Sequence, residues 1–191
     1  MIKRLSQLDQ EIFLWFNSHH SPFMDEVMVF ISGKLEWIPL YALLLFFVYK
    51  KYNKAVVWVM LAAALVVTLA DQSSVHLFKD VFQRYRPCHN LNIGELVHTV
   101  NGKCGGKYGF VSSHAANTFG IAVLLGSLLK YQYKIYPLLL LLLWAGIVSY
   151  SRVYLGVHYT GDIFVGALLG SLIGYLVYRL TLYTIQKYPL K

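Results

Sequence analysis

Five apolar runs follow one another through this chain, at about 37–49, 55–78, 114–129, 135–150 and 160–181, with little sequence between most of them. A helix needs ~20 residues to cross a bilayer core; the first run is short for a span but can start earlier and tilt, and five such runs leave a chain of 191 residues little for anything else. Only 14% of the residues are charged against 57% hydrophobic, where an ordinary soluble domain carries roughly 25% charged residues. That little charge cannot cover that much apolar surface. A disordered chain, a coiled coil and a disulfide-rich secreted scaffold are excluded on the same ground. The expected fold is an all-α polytopic membrane bundle, one domain over 1–191. Gly and Pro beside the runs are tolerated because neighbouring helices satisfy the freed backbone groups.

The N-terminal stretch 1–33 has a different pattern. Leu8, Ile12, Trp15 and Phe16 share one helical face, with Asp9, Gln10 and Glu11 elsewhere. Ser21-Pro22 breaks the run, and 23–31 resumes it with Asp25 and Glu26 embedded. This reads as two short helices lying in the membrane interface, with a true sixth span as the alternative. No continuous apolar core precedes a cleavage site, so no signal peptide is expected.

A formal net charge of +8 would suggest nucleic acid in a soluble protein. Here the basic residues cluster between apolar runs, where they set topology and meet anionic lipid, so no nucleic-acid partner is expected. With five spans, Lys50, Lys51, Lys54, Lys130, Lys134, Arg179, Lys187 and Lys191 share one side. Lys3, Arg4, Lys34, Lys79, Arg84, Arg86, Lys103, Lys107 and Arg152 share the other. The raw count is nearly even, but the first set lies in very short connections, which places it in the cytoplasm. The long connection 86–113 then faces the periplasm or cell exterior. It carries both cysteines, Cys88 and Cys104, which outside the cytoplasm tend to oxidise to a disulfide. Two unpaired thiols is the alternative. A metal held by the cysteines with His89 or His98 matches no zinc spacing.

Three polar clusters interrupt the apolar pattern on that same side. Lys79 and Arg86-Pro87 stand about two helical turns apart, able to face one way until Pro87 ends the helix. Ser112-Ser113-His114 opens a span, where free N–H groups suit an anion. Ser151-Arg152 is followed by His158 and Asp162, four apart, a spacing that lets the carboxylate accept a hydrogen bond from the imidazole Nδ1–H. Each cluster alone is ordinary: cations at span ends snorkel, and a serine before a helix is usually a cap. Three cations, two histidines and an acid converging at one membrane face need a partner, since a charge deep in a bilayer costs roughly 2.5–3.5 kcal/mol even on the lenient scale. A phosphate group is such a partner.

Lys79-x6-Arg86-Pro87, Ser112-Ser113-His114 and Ser151-Arg152-x5-His158-x3-Asp162 resemble, in order and spacing, the three signatures of the type 2 phosphatidic acid phosphatase family. The resemblance covers about residue 55 to the C-terminus. The second signature reads Val111-Ser112-Ser113-His114 where the family usually has Pro-Ser-Gly-His. The resemblance implies that His158 Nε2 attacks phosphorus, with Asp162 holding the tautomer. It implies that Lys79, Arg86, Arg152, the Ser112 hydroxyl and the Ser113 N–H bind the phosphate oxygens. His114 would then protonate the leaving oxygen before water hydrolyses the phosphohistidine. His158 starts neutral and His114 protonated, and no metal or other cofactor is called for.

The implied activity is a metal-independent lipid phosphatase, acting on a membrane lipid phosphate or diphosphate of the undecaprenyl diphosphate, lipid A or phosphatidylglycerophosphate type. The short chain, with its N-terminal interfacial segment and five spans, resembles the small bacterial undecaprenyl-diphosphate phosphatases, and lipid A and phosphatidylglycerophosphate phosphatases share the same signatures. A non-enzymatic lipid or anion transporter is the competing class; it calls for charges near mid-span and repeated halves, and the sequence has neither. A vanadate-dependent haloperoxidase shares the constellation but needs a longer, soluble scaffold. Oligomeric state is not legible.

Overall fold

The structure is a computed structural model and describes residues 2–190; Met1 and Lys191, the ends of the expected N-terminal stretch and of the basic tail, lie outside the described residues. Two helices open the chain, α1 (Ile2–Asn17) and α2 (Pro22–Ser32). The Ser21 hydroxyl caps α2 by accepting the Met24 N–H at 3.3 Å, and Pro22 occupies its first turn. Then come α3 (Ile38–Tyr52) and α4 (Val56–Gln72), separated by a single 3₁₀ turn at Asn53–Ala55. Asn53 has φ 49° and ψ −130°, which breaks the helix and folds α4 back against α3. α4 continues as a π-helical segment, Ser73–Lys79, and a last turn α5 (Asp80–Phe82). Three long helices complete the chain: α6 (Ser113–Tyr133), α7 (Tyr136–Tyr154) and α8 (Thr160–Lys187). Among the described residues there is no strand, only an isolated bridge between Tyr85 and Tyr108.

Among the described residues, three stretches are long and apolar enough to cross a membrane: Ile38–Phe82, Tyr136–Tyr154 and Thr160–Lys187. The first contains the reversal at Asn53 and so supplies two legs, α3 and α4. α6 falls outside this set for a physical reason. It is the central helix, packed on α3, α4, α7 and α8, and residues such as Ala122, Leu124 and Leu128 are fully buried. A helix surrounded by protein needs no lipid-facing apolar girdle and tolerates the Ser, Asn and Thr of its first turns. The outer helices expose large apolar side chains instead, including Phe46, Leu61, Leu143 and Leu176, as expected of an integral membrane protein.

The tightest packing is between α6 and α8. Gly166, Gly170 and Gly174 recur every four residues and form one stripe on α8. A Cβ at Gly170 would stand 2.0 Å from the Ala116 carbonyl oxygen, and one at Gly174 2.3 Å from that of Gly120. Small residues at this spacing let two membrane helices approach backbone to backbone. This contact brings the first turn of α6 to the first turn of α8, where the Ser112 N–H donates to the Asp162 carbonyl at 3.1 Å.

α1 docks on the bundle through a face that the apolar pattern alone does not mark. Leu8, Ile12 and Trp15 point outward, 40–61% exposed, consistent with an interfacial helix. The inward stripe is Asp9, Phe13 and Asn17. Phe13 is fully buried, edge-on to Tyr159 at 5.4 Å. Asn17 donates to the Tyr154 carbonyl at 2.8 Å and accepts the His98 N–H at 2.8 Å.

Candidate active site

The polar residues gather where α6 and α8 begin and α7 ends. His158 lies in the turn between α7 and α8, 2% exposed, and its N–H is held by the Arg152 carbonyl at 3.2 Å. Asp162, wholly buried, stands in the first turn of α8 and does two jobs with one oxygen. Its Oδ2 accepts the Tyr159 N–H at 3.1 Å, capping the helix, and lies 3.3 Å from His158 Nδ1. The spacing of four predicted that contact, but not its route: His158 precedes the helix, and the carboxylate reaches back over the helix end.

His158 Nε2 lies 3.1 Å from Arg86 Nη1. A guanidinium only donates, so Nε2 is the acceptor and Nδ1 carries the proton toward Asp162. That tautomer leaves a nucleophilic lone pair at Nε2. Burial first, then the cations Arg86, Arg152 and Lys79, hold the His158 pKa well below the usual histidine value. The imidazole is therefore neutral at pH 7.

Lys79 and Arg86 meet at this site, although not along one helix. The helix ends at Phe82, with Gln83 left-handed (φ 47°), and Arg86 follows on extended backbone before Pro87. The Arg86 Nη1 also donates to the Val157 carbonyl at 3.1 Å. Lys79 Nζ donates to the Ser113 hydroxyl at 2.6 Å, so the serine that stands in place of the family's usual glycine holds a cation of the site. The Ser112 hydroxyl accepts the Ala115 N–H at 3.4 Å as the cap of α6. Arg152 donates through Nη1 to the Ser32 hydroxyl of α2. Among the described residues, none of Lys79, Arg86 and Arg152 is in an ion pair, and the Nε donors of both arginines are buried without a partner. Three cations and two orphaned donors around a neutral imidazole make a receptor for an anion.

His114 lines a cavity of about 950 Å³ together with Lys79, Arg86 and Ser113. From that polar end the cavity runs between α3 and α4, past Tyr41, Leu44, Val59 and Val67, with α6 also lining it. Asp71 also lines it.

The long connection covers the site from outside. Cys88 and Cys104 form a disulfide, with Cα atoms 6.0 Å apart. Gly105 then lies on the Arg86 guanidinium, where a Cβ would be 3.6 Å from Cζ. The ligand atoms of Cys88, His89 and Cys104 fall within 4.8 Å of one another, but sulfurs bonded to each other leave no thiolate for a metal. His98 contacts Asp25 at 2.9 Å, and the Tyr154 hydroxyl donates to the same oxygen at 2.7 Å, so His98 tethers the connection to α2.

Four residues here escaped the sequence reading: Asp9, Ser32, Arg84 and Gly109. Arg84 sits between two carboxylates, 2.9 Å from Asp162 Oδ1 and 2.8 Å from Asp9 Oδ2, and its guanidinium lies over the Tyr159 ring at 4.0 Å. Gly109 lies against the His158–Asp162 pair, where a Cβ would be 3.3 Å from Asp162 Oδ2. The only available sequence signal was the Asp9, Phe13, Asn17 stripe, two polar residues flanking an aromatic opposite the apolar face.

The profile of the PAP2 superfamily matches residues 55–186. A lipid A 4'-phosphatase of Bacteroides thetaiotaomicron is 41% identical over 180 residues, covering 93% of this chain and 79% of the relative. One of Porphyromonas gingivalis is 34% identical over 180 residues, with 93% and 74% covered. The crystal structure of a PAP2-type phosphatidylglycerolphosphate phosphatase from Bacillus subtilis superposes with a TM-score of 0.73 at 24% identity, over 94% of this chain and 87% of that one.

Proposed function

The chain belongs to the PAP2 superfamily, and from that premise we propose that it is a membrane phosphatase that removes a terminal phosphate from a lipid phosphate through a phosphohistidine. The observation that carries this reading is the set of three cations without carboxylate partners around the neutral His158. The Nε2 lone pair attacks phosphorus in line with the leaving oxygen, while the Arg86 N–H that rests on Nε2 turns to a phosphate oxygen. Asp162 keeps Nδ1 protonated and stabilises the imidazolium that forms. Lys79, Arg86 and Arg152 neutralise the equatorial oxygens, assisted by the Ser112 hydroxyl and the Ser113 N–H. His114, which lines the cavity beside these cations, is not protonated in advance as the sequence suggests; it takes up a proton as the phosphate's negative charge enters the site and gives it to the leaving oxygen. Water then cleaves the phosphohistidine.

The apolar cavity beyond His114 suits a lipid tail, and the names of the two bacterial relatives make a lipid A phosphate the first substrate to test. The short basic connections at the opposite end favour a cytoplasmic location for that end, which turns the site to the outer face of a bacterial inner membrane. Phosphate release by the purified chain from lipid A, undecaprenyl diphosphate and phosphatidylglycerophosphate tests the reading. Release from at least one is expected, abolished by His158→Ala. His114→Ala is expected to spare a substrate whose leaving group needs no proton. Substantial turnover by His158→Ala would remove the proposed nucleophile.

A further inference from the structure

We propose that Asp9 and Arg84 are positioning residues of the active site, which makes helix α1 a part of the catalytic apparatus and not only a membrane-surface anchor. The inference rests on the assignment of His158 and Asp162 given above. Asp162 is completely buried, and a buried carboxylate needs a partner of opposite charge with good geometry. Arg84 is its one direct ion-pair partner of fixed charge among the described residues, through Nη1 to Oδ1 at 2.9 Å. That contact occupies the oxygen that does not face His158 and leaves Oδ2 for Nδ1.

Arg84 cannot wander from this position because it is held on three sides. Its second amino group donates to Asp9 Oδ2 at 2.8 Å, the Tyr159 ring lies beneath it, and its carbonyl accepts the Gly109 N–H at 2.9 Å. Asp9 in turn uses its other oxygen on the start of α8, accepting from the Thr160 hydroxyl at 2.5 Å and the Gly161 N–H at 2.8 Å. A carboxylate at a helix N-terminus satisfies a free donor and meets the positive end of the helix dipole. One acid of α1 therefore fixes both the helix that carries Asp162 and the arginine that orients it. Phe13, one turn further on, seals this docking against Tyr159. The geometry sets the angle of the Asp162 carboxylate, and through it the His158 ring, without either residue touching the substrate.

A positioning role separates turnover from anion binding, because among the described residues the hydrogen bonds and ion pair of Asp9 go to Arg84, Thr160 and Gly161 and not to Lys79, Arg86 or Arg152. The test uses the full chain in detergent, with a short-chain phosphatidic acid as substrate and inorganic phosphate as competing product. Arg84→Met is expected to lower kcat about 100-fold, the scale of a small misplacement of a reacting group, with the inhibition constant for phosphate unchanged. Asp9→Asn keeps an amide oxygen for Thr160 and Gly161 but loses the charge facing Arg84, and it is expected to show the same split with a smaller loss. Since Arg84→Met could fail to fold, Asp9→Asn stands as the independent arm, with each variant checked for a single monodisperse species. Unchanged kcat in a folded variant overturns the inference, as does a parallel loss of kcat and phosphate binding. Absence of turnover in the unaltered chain, or full turnover in His158→Ala, would sink the phosphatase assignment and the inference with it. An unaltered Arg84→Met beside a dead His158→Ala would sink the inference alone.

Discussion

The two ends of the bundle are about equally rich in cations, yet they use them in opposite ways. At the end formed by Lys50, Lys51, Lys54, Lys130, Lys134, Arg179 and Lys187, cations lie exposed or half-buried among aromatic rings and helix-end carbonyls. Lys50 stands 5.5 Å from the Phe46 ring centroid, Lys187 lies over Tyr183 and Tyr188, and Lys51 Nζ donates to the Leu128 carbonyl at 2.5 Å. These are snorkelling contacts, with the charge kept near water or headgroups. At the other end the guanidinium Nε atoms of Arg86 and Arg152 are buried without a partner beside a histidine that burial keeps neutral. Counting cations by side therefore cannot find the site. Burial against unmet hydrogen-bonding capacity can.

The largest expected effect comes from breaking the buried set. Arg152→Ala removes one of the three cations proposed to face the transferring phosphoryl group and is expected to cost roughly 10²–10³ in kcat, as loss of one transition-state donor does elsewhere. Kinetics on a fixed lipid phosphate measure it. Equal losses from Arg152→Ala and from a surface cation such as Lys187→Ala would erase the distinction between the two ends.

A second change attacks the packing that assembles the site. Gly170→Val forces a side chain into the Ala116 backbone, where even a Cβ would stand 2.0 Å from the carbonyl oxygen. Overpacking of this kind costs about 1–3 kcal/mol, and it pushes the Ser112 turn of α6 away from Asp162. A fall in thermal stability together with a loss of turnover is expected. Gly146 has nothing within 4 Å of a built Cβ, so Gly146→Ala serves as the control that leaves both intact.

Legibility from sequence followed the same divide. Lys79, Arg86, His114, Arg152, His158 and Asp162 are legible as a candidate cluster because their spacing is local and each lies beside an apolar run. The docking of α1 was not visible, because Asp9, Arg84 and Thr160 are brought together from distant parts of the chain, and a lone acid on an amphipathic helix reads as solvated surface. The N-terminal helices were placed, but the apolar stripe of Leu8, Ile12 and Trp15 drew attention to the face that points away from the protein. The helix past Lys79 ends at Phe82, before the Pro87 stop expected from the sequence, for another reason. Pro87 is a strong helix-stop signal, whereas the left-handed residue that ends the helix, Gln83, carries none of the usual glycine or asparagine signature.

Acid titration reads the burial of His158 through the difference between the unaltered chain and a variant that lacks this imidazole. Its folded pKa lies below the ordinary value of about 6.5, so between those two values the unfolded chain binds a proton that the folded chain does not. By linkage, stability is complete above about pH 6.5 and falls on acidification, at up to ~1.4 kcal/mol per pH unit for one proton. Thermal denaturation between pH 8 and 5 is expected to show this slope, flattened in His158→Gln. An identical slope in that variant would assign the acid sensitivity to another group.

The smallest effect belongs to the basic end. Lys50→Ala with Lys187→Ala removes the two cations that rest on Phe46 and on the Tyr183–Tyr188 pair. Exposed cation–π contacts contribute about 0.5–1 kcal/mol each, and surface ion contacts in water or headgroups less, so the melting temperature is expected to fall slightly. Neither lysine lies on the cavity that opens at His114, and the length of the bundle separates both from His158. Salt screens interactions between exposed charges beyond about 8–10 Å, so no electrostatic path remains through which their removal could reach the reacting phosphate. kcat and KM on a detergent-solubilised lipid phosphate are therefore expected to match the unaltered chain. A marked loss of turnover in this double variant would mean that the surface charges act on the site at long range, and the two ends would no longer be functionally separate.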